Sequence, residues 1–124
     1  MPPPPNTFPR TATIRGNGAF TRIMDTRVRE TAGPLVFHAA PNTTTSSRLG
    51  ISIGRRVGNA VVRNTIKRRL REAFRLNRHD WPAAYDVVVI VRPHEAMTLE
   101  QYTKRLNGAV KRLHEKWVNR EKEK

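Results

Sequence analysis

The sequence contains no cysteine, few acidic residues and no long apolar run. Its 124 residues include 24 Lys or Arg but only 10 Asp or Glu, which gives a formal net charge of +14. The lack of cysteine excludes disulfides, thiolate catalysis and cysteine-based zinc sites, and it favours a cytoplasmic location. The longest aliphatic run covers residues 87–91, far too few to span a membrane. The N-terminus lacks the charged and apolar regions of a signal peptide.

The excess of positive charge limits the class of partner. A chain of this length is expected to form one small domain, and apolar residues make up 37% of it, enough for a thin core. Such a surplus of Lys and Arg is hard to reconcile with an enzyme for small neutral substrates. It indicates a polyanionic partner, and nucleic acid is the commonest one.

Composition divides the chain into three parts. Five of the nine prolines fall in the first nine residues, so residues 1–12 are expected to form a proline-rich, disordered arm. Docking of this arm into an aromatic groove is the alternative. The folded domain is expected over residues 13–118, and the charged tail, residues 119–124, is expected to fray.

The first half of the domain predicts a short helix and two strands. Apolar residues at helical spacing over residues 20–24 indicate the helix. Residues 35–40 and 48–53 are typical of strands, and the polar loop between them predicts that they pair as a hairpin.

A second helix is expected within residues 55–78, after a cap candidate at Asn59. Its apolar stripe comprises Val62, Ile66, Leu70, Ala73 and Phe74. The same segment holds nine basic residues and one acid, Glu72. Several of the cations follow one another at steps of four along a different face, where like charges repel unless an anion lies against them. This segment therefore indicates a nucleic-acid-binding helix, rich in the arginines that suit phosphate contacts.

The second half predicts a buried strand and a last helix. The β-branched run at residues 85–91 is typical of a central strand that is buried on both faces. Thr98 and Gln101 have the spacing of a capping box. An amphipathic stripe follows, formed by Leu99, Tyr102, Leu106, Val110, Leu113 and Trp117. The whole is an α+β fold, a single-domain α/β sandwich with helices on one side of a sheet.

No catalytic constellation is visible in the sequence. The acids form no spaced pair, the four histidines lack metal-ligand spacing, and there is no Walker loop. We therefore expect no catalytic residues and no metal site in the protein itself. The residues do not determine whether the nucleic acid is DNA or RNA, although the absence of a helix-turn-helix pairing fits RNA somewhat better.

Residues 55–74 read RRVGNAVVRNTIKRRLREAF, which closely resembles the signature of the protein subunits of bacterial ribonuclease P. The resemblance extends over roughly residues 13–117 and follows the same order of elements. It implies a fold similar to the ribosomal protein S5 domain 2-like fold, with a left-handed βαβ crossover. It also implies a binding subunit that helps a catalytic RNA remove the 5′ leader of precursor tRNA.

The same resemblance implies which molecules and residues take part. Mg²⁺ would be held mainly by the RNA, and the partners would be ribonuclease P RNA, most simply at 1:1, and precursor tRNA, with no membrane. The face towards the RNA subunit would comprise Arg55, Arg56, Asn59, Arg63, Asn64, Lys67, Arg68 and Arg71. The leader would contact Phe20, Met24 and His38. Thr65, Met24 and His38 depart from the family pattern, which usually has a basic residue or aromatics there.

Three other functions stay open at this stage. A ribosomal or ribosome-assembly protein on a similar fold would bind rRNA without preferring a 5′ leader. A free-standing nuclease would cleave RNA without an RNA subunit. A membrane-surface role for the basic helix is weaker, because its apolar stripe is better used against the sheet.

Overall fold

The computed structural model describes residues 13–14, 17–42 and 46–123. The expected arm at residues 1–12 lies outside them. The described chain forms, in order, α1 (Asn17–Asp25), β1 (Arg29–Ala32), β2 (Leu35–Pro41), β3 (Arg48–Ile53), α2 (Ala60–Asn77), β4 (Tyr85–Val91) and α3 (Leu99–Lys122). Short 3₁₀ turns precede and follow α2, at Arg55–Val57 and Arg78–Asp80. The last helix thus includes most of the charged tail.

The strands form one mixed sheet in the order β1-β2-β4-β3. β4 pairs antiparallel with β2 on one side and parallel with β3 on the other. The predicted central position of this strand is confirmed. The β3–α2–β4 segment is a βαβ unit, so α2 is the crossover between two parallel neighbours.

The predicted hairpin between the second and third strands is wrong. β4 lies between β2 and β3, and each of them pairs with β4. The physical reason is the composition of β4, in which six of seven residues are buried. A strand that is apolar on both faces is most stable at the centre of a sheet. There its side chains are covered on both faces and its backbone is hydrogen-bonded along both edges.

The true hairpin partner of β2 is β1, which the sequence pattern did not reveal. β1 reads Arg-Glu-Thr-Ala and alternates between exposed and partly buried residues at the edge of the sheet. Such a short, polar edge strand carries no apolar alternation that could be recognised. The turn at Gly33, whose φ is 62°, joins it to β2, and glycine takes this left-handed conformation without strain.

Both long helices begin where their predicted caps lie. The Asn59 side chain accepts a hydrogen bond of 2.9 Å from the Val62 backbone N–H at the start of α2. Thr98 accepts from the Gln101 N–H at 3.2 Å, and the Gln101 side chain accepts from the Thr98 N–H at 2.9 Å. These bonds satisfy backbone donors that have no partner within a helix.

Helices cover both faces of the sheet, so the prediction of helices on one side is wrong. α2 and α3 pack on the face that carries Phe37 and Val89. α1 packs on the opposite face, where its buried Ile23 meets Val88. The cause lies in β2 and β4, whose alternate residues are apolar on both faces and therefore need two covering layers. Within the described residues, no helix is long and apolar enough to cross a membrane.

Leu70 of α2 provides a direct test of the main core. Its side chain is 1% exposed, so Leu70→Ala leaves a cavity and should lower the free energy of unfolding by about 2–5 kcal/mol. Leu76→Ala is the matched control, because Leu76 lies on the same helix and is 51% exposed. Its effect in urea unfolding should stay within about 0.5 kcal/mol. Equal losses for the two variants would contradict the assigned face of α2.

Candidate nucleic-acid interface

One side of α2 carries a row of cations that the fold does not neutralise. We define the α2 basic face by Arg55, Arg56, Arg63, Lys67, Arg68 and Arg71, together with the amides of Asn59 and Asn64. Across residues 13–14, 17–42 and 46–123, the structure gives these six cationic side chains neither an ion pair nor a hydrogen bond. All eight predicted RNA-facing residues thus belong to α2 or the turn just before it.

Arg63 differs from the other cations of this face in having a buried polar atom. Arg63 and Lys67 are both partly exposed, but the Nε of Arg63 is buried without a hydrogen-bond partner in the described structure. A buried N–H without an acceptor is costly, and an anion placed beside the guanidinium would satisfy it. Asn59 has a second role, since its side-chain oxygen caps α2.

The remaining arginines of α2 and of the turn that follows it serve the fold. Arg69 donates a hydrogen bond of 2.6 Å to the Met97 carbonyl, which draws it toward the segment before α3. Arg75 pairs with Glu72, the single acid of the helix. Arg78 donates to the Ser47 carbonyl at 3.1 Å, and burial lowers the pKa of its guanidinium. Arg69 therefore has a partner within the fold, unlike the six cations of the α2 basic face.

The predicted leader residues lie on the sheet face that α1 covers. The Phe20 ring packs on Gly50 of β3 so closely that a Cβ there would come within 2.6 Å of the ring. Met24, one turn later on α1, is 38% exposed. His38 lies on β2 in the same cross-strand row as Gly50, with Val88 between them. The structure therefore places Phe20 and His38 on one face, two strands apart.

The His38 ring is buried, at 6% exposure, and its Nδ1 has no hydrogen-bond partner among the described residues. Burial lowers the pKa of His38, and the charge of Arg29 opposite it on β1 lowers it further. Both effects favour the neutral form of the ring.

A small cleft joins the two candidate surfaces. It has a volume of about 120 Å³, and Phe20 of α1 and Arg71 of α2 both line it. Thr13, Ile14 and residues 49–51 of β3 complete its wall. An arginine of the α2 basic face thus borders the same space as the aromatic ring of α1. The cleft forms at this edge of the sheet because β3 is the outermost strand there.

A buried carboxylate fixes α1 and β3 around this cleft. Asp86 of β4 accepts hydrogen bonds from Arg22 of α1 at 3.1 Å, from Arg48 of β3 at 2.7 Å and from Asn42 at 3.0 Å. Burial opposes its ionisation, but the hydrogen bonds outweigh it and hold the pKa of Asp86 below its usual value. The sequence analysis did not assign these residues, although a lone acid within the apolar run of β4 was a usable signal.

The comparison with known proteins now decides the family. A sequence profile of the family described as Ribonuclease P matches residues 8–114, most of the chain. The chain belongs to the ribonuclease P protein family. The resemblance inferred from residues 55–74 is therefore confirmed.

Relatives and solved structures agree with this assignment. The ribonuclease P protein component of Brevibacillus brevis is 42% identical over 79 residues, which make up 63% of each chain. The chain thus spans somewhat less than two thirds of that relative. The Staphylococcus aureus RNase P protein matches with a TM-score of 0.67 and 35% identity, over 81% of this chain and 93% of that one. The Thermotoga maritima protein matches with a TM-score of 0.71 and 30% identity, over 81% and 96%.

Metal ligands are not gathered at this interface. No group of three or more His, Asp or Glu residues that could hold a metal ion occurs within the part of the chain that the structure describes. The candidate residues are cations and amides on the α2 side, and Phe20, Met24 and His38 on the α1 side.

The Asp86 network yields a test of how the cleft is held. Asp86→Asn removes the charge that three donors share and should lower the free energy of unfolding at pH 7 by about 1–3 kcal/mol. Because the folded-state pKa is depressed, this stability is present above the unfolded pKa of about 3.9 and is lost as the pH falls through the folded value. The stability of the Asp86→Asn variant should therefore fall less with decreasing pH than that of the wild type, as measured by thermal melting from pH 7 to pH 2. Asp80→Asn, at an exposed carboxylate, is the control. A wild-type pH profile for Asp86→Asn would contradict this role.

Proposed function

We propose that this chain is the protein subunit of ribonuclease P, which binds the catalytic RNA and the 5′ leader of precursor tRNA. The observation that carries the proposal is the continuity of one surface. The α2 basic face and the Phe20 ring meet at the cleft that Arg71 borders. A surface of this kind can hold a structured RNA and a single strand at the same time.

The α2 basic face is suited to the phosphates of the RNA subunit. Its cations have no intramolecular anion in the described chain, so their mutual repulsion is relieved only by a ligand. Each phosphate that they neutralise releases condensed counterions, which drives binding at low salt. Arg63 adds a guanidinium whose buried Nε lacks an acceptor. We assign Arg55, Arg56, Asn59, Arg63, Asn64, Lys67, Arg68 and Arg71 to this contact.

The face covered by α1 is suited to the unpaired leader. A base can stack on an aromatic ring whatever its identity, which suits leaders of varied sequence. Phe20 offers a ring fixed in place by Gly50, and the exposed Met24 extends the apolar surface by one helical turn. We assign Phe20 and Met24 to the leader. The predicted contact with His38 stays a prediction, because its ring is 6% exposed and offers no open face to a base.

Catalysis is assigned to the RNA subunit. A surface of cations repels a divalent metal ion, so the candidate interface does not fit Mg²⁺. We propose that RNA phosphates hold the Mg²⁺ that promotes hydrolysis, and that the protein supplies binding and orientation. A 1:1 complex, a cytoplasmic location and the left-handed crossover of the ribosomal protein S5 domain 2-like fold stay predictions.

Salt dependence tests the RNA-subunit contact. Arg68→Ala should reduce affinity for a bacterial ribonuclease P RNA and lower the slope of log K against log salt concentration by about one unit, because one phosphate contact is lost. Filter binding over a range of KCl concentrations measures both quantities. Arg75→Ala is the matched control on the same helix, since Arg75 already pairs with Glu72. An unchanged slope for Arg68→Ala would remove this residue from the interface.

Phe20 tests the leader contact. Phe20→Ala should weaken binding of precursor tRNA to the assembled complex by about 1–3 kcal/mol, the contribution of one stacked base. It should leave binding of mature tRNA and of the RNA subunit unchanged. Phe20→Leu keeps apolar bulk over Gly50 but removes the flat ring, so it separates stacking from packing. Equal affinity for precursor and mature tRNA in the wild-type complex would instead favour a protein that binds rRNA alone.

A further inference from the structure

A second cationic groove lies at the opposite edge of the sheet from the α2 basic face. It runs between α3 and β1, has a volume of about 400 Å³, and is lined by Ala32, Gln101, Lys104, Arg105, Gly108 and Arg112. We call it the α3–β1 groove. β1 and β3 are the two edges of the four-stranded sheet, so they lie about 14 Å apart at a strand spacing of about 4.8 Å. The groove is therefore separate from both surfaces assigned above.

The positive charge of this groove is not balanced. Lys104 and Arg105 have no ion pair or hydrogen bond within the described ranges. Arg112 pairs with Glu30 of β1 at 3.0 Å, but the same carboxylate also pairs with Lys116 at 2.8 Å. The hydrogen bond from Lys116 is the main cause that holds the pKa of Glu30 below its usual value. Glu30 therefore pairs with two of these four cations, Arg112 and Lys116, and it leaves Lys104 and Arg105 without an anion.

Two glycines lie beside guanidinium groups of the groove, Gly108 in its lining and Gly33 in the turn that follows β1. A Cβ at Gly33 would lie 2.7 Å from an Nη of Arg105, and one at Gly108 would lie 3.3 Å from an Nη of Arg112. Both guanidinium groups thus lie against bare backbone. Such placement restricts their motion before any ligand arrives, which lowers the entropic cost of binding.

We propose that the α3–β1 groove binds a second stretch of RNA phosphate backbone. Charge complementarity carries the assignment, since three clustered cations, of which Lys104 and Arg105 have no anion, match a run of phosphates. The inference rests on the proposed function, because it adds a contact for the same ribonucleoprotein. The phosphates belong either to ribonuclease P RNA or to precursor tRNA, and the two sources differ in which binding step they affect.

The decisive variant is Lys104→Ala/Arg105→Ala in the full chain. Its affinity is measured against KCl in two reactions, protein with a bacterial ribonuclease P RNA and assembled complex with precursor tRNA. The slope of log K against log salt concentration should fall by about two units in one of these reactions, which also identifies the source of the phosphates. Lys111→Ala, an exposed cation of the same helix outside the groove, should leave both slopes unchanged.

Two further variants distinguish a loss of RNA affinity that comes from lost phosphate contacts from one that comes from a disturbed fold. Glu30→Gln frees Arg112 and Lys116 from their shared carboxylate, so it should tighten RNA binding in the reaction that the double variant weakens. A merely structural role of the groove would not produce this opposite effect. Arg105→Lys keeps the charge and should recover most of the salt slope in a single-site test.

Different results would overturn the groove proposal and the proposed function. If the double variant behaves like Lys111→Ala in both reactions while Arg68→Ala still lowers the slope, the groove does not bind RNA and the subunit assignment stands. If the wild-type protein binds neither the ribonuclease P RNA nor, in the mixture with that RNA, the precursor tRNA, both proposals are overturned. If Glu30→Gln has the melting temperature of the wild type and the same affinity for RNA, this result also contradicts RNA binding by the groove.

Discussion

The fold depends on burying β4 on both of its faces and pairing it on both of its edges. Its run of β-branched residues has no polar side for water, so β2 and β3 flank it and helices cover it above and below. This requirement separates β2 from β3 and makes β3 an edge strand. It also brings α2 to the β3 edge and α1 to the opposite face. The cleft between Phe20 and Arg71 exists because these two helices meet beside the same edge.

The second organising constraint is the distribution of positive charge. Some arginines are neutralised within the fold, as Arg22 and Arg48 are by Asp86, and they hold α1 and β3 in position. Others bond to backbone carbonyls, as Arg69 does. Among the described residues, the six cations of the α2 basic face have no ion pair, and neither do Lys104 and Arg105 of the α3–β1 groove at the other edge of the sheet. The described Lys and Arg residues thus include some that hold the fold together and others that it leaves without an anion.

Much of this arrangement could be predicted from local patterns. The periodic apolar stripes of α2 and α3 predicted both long helices, and the cap residues Asn59 and Thr98 predicted where these helices begin. The β-branched run of β4 predicted a central strand. The eight residues of the predicted RNA face lie together because they occupy one helix and its preceding turn. Strand order could not be predicted in the same way, because pairing depends on burial across the whole sheet. β1 was missed because its short, polar sequence has no apolar alternation. The Asp86 network was missed because its hydrogen bonds connect residues that are far apart in the sequence.

The central claim is that this chain makes an RNA enzyme work without carrying the chemistry itself. It is tested most directly by cleavage of a 5′-leader precursor tRNA at low Mg²⁺, with bacterial ribonuclease P RNA alone, the protein alone and the two together. The account predicts efficient leader removal only when both are present. Cleavage by the protein alone would contradict it by showing an active site in the chain. No stimulation of a compatible RNA would contradict it equally and would favour a protein that binds rRNA alone.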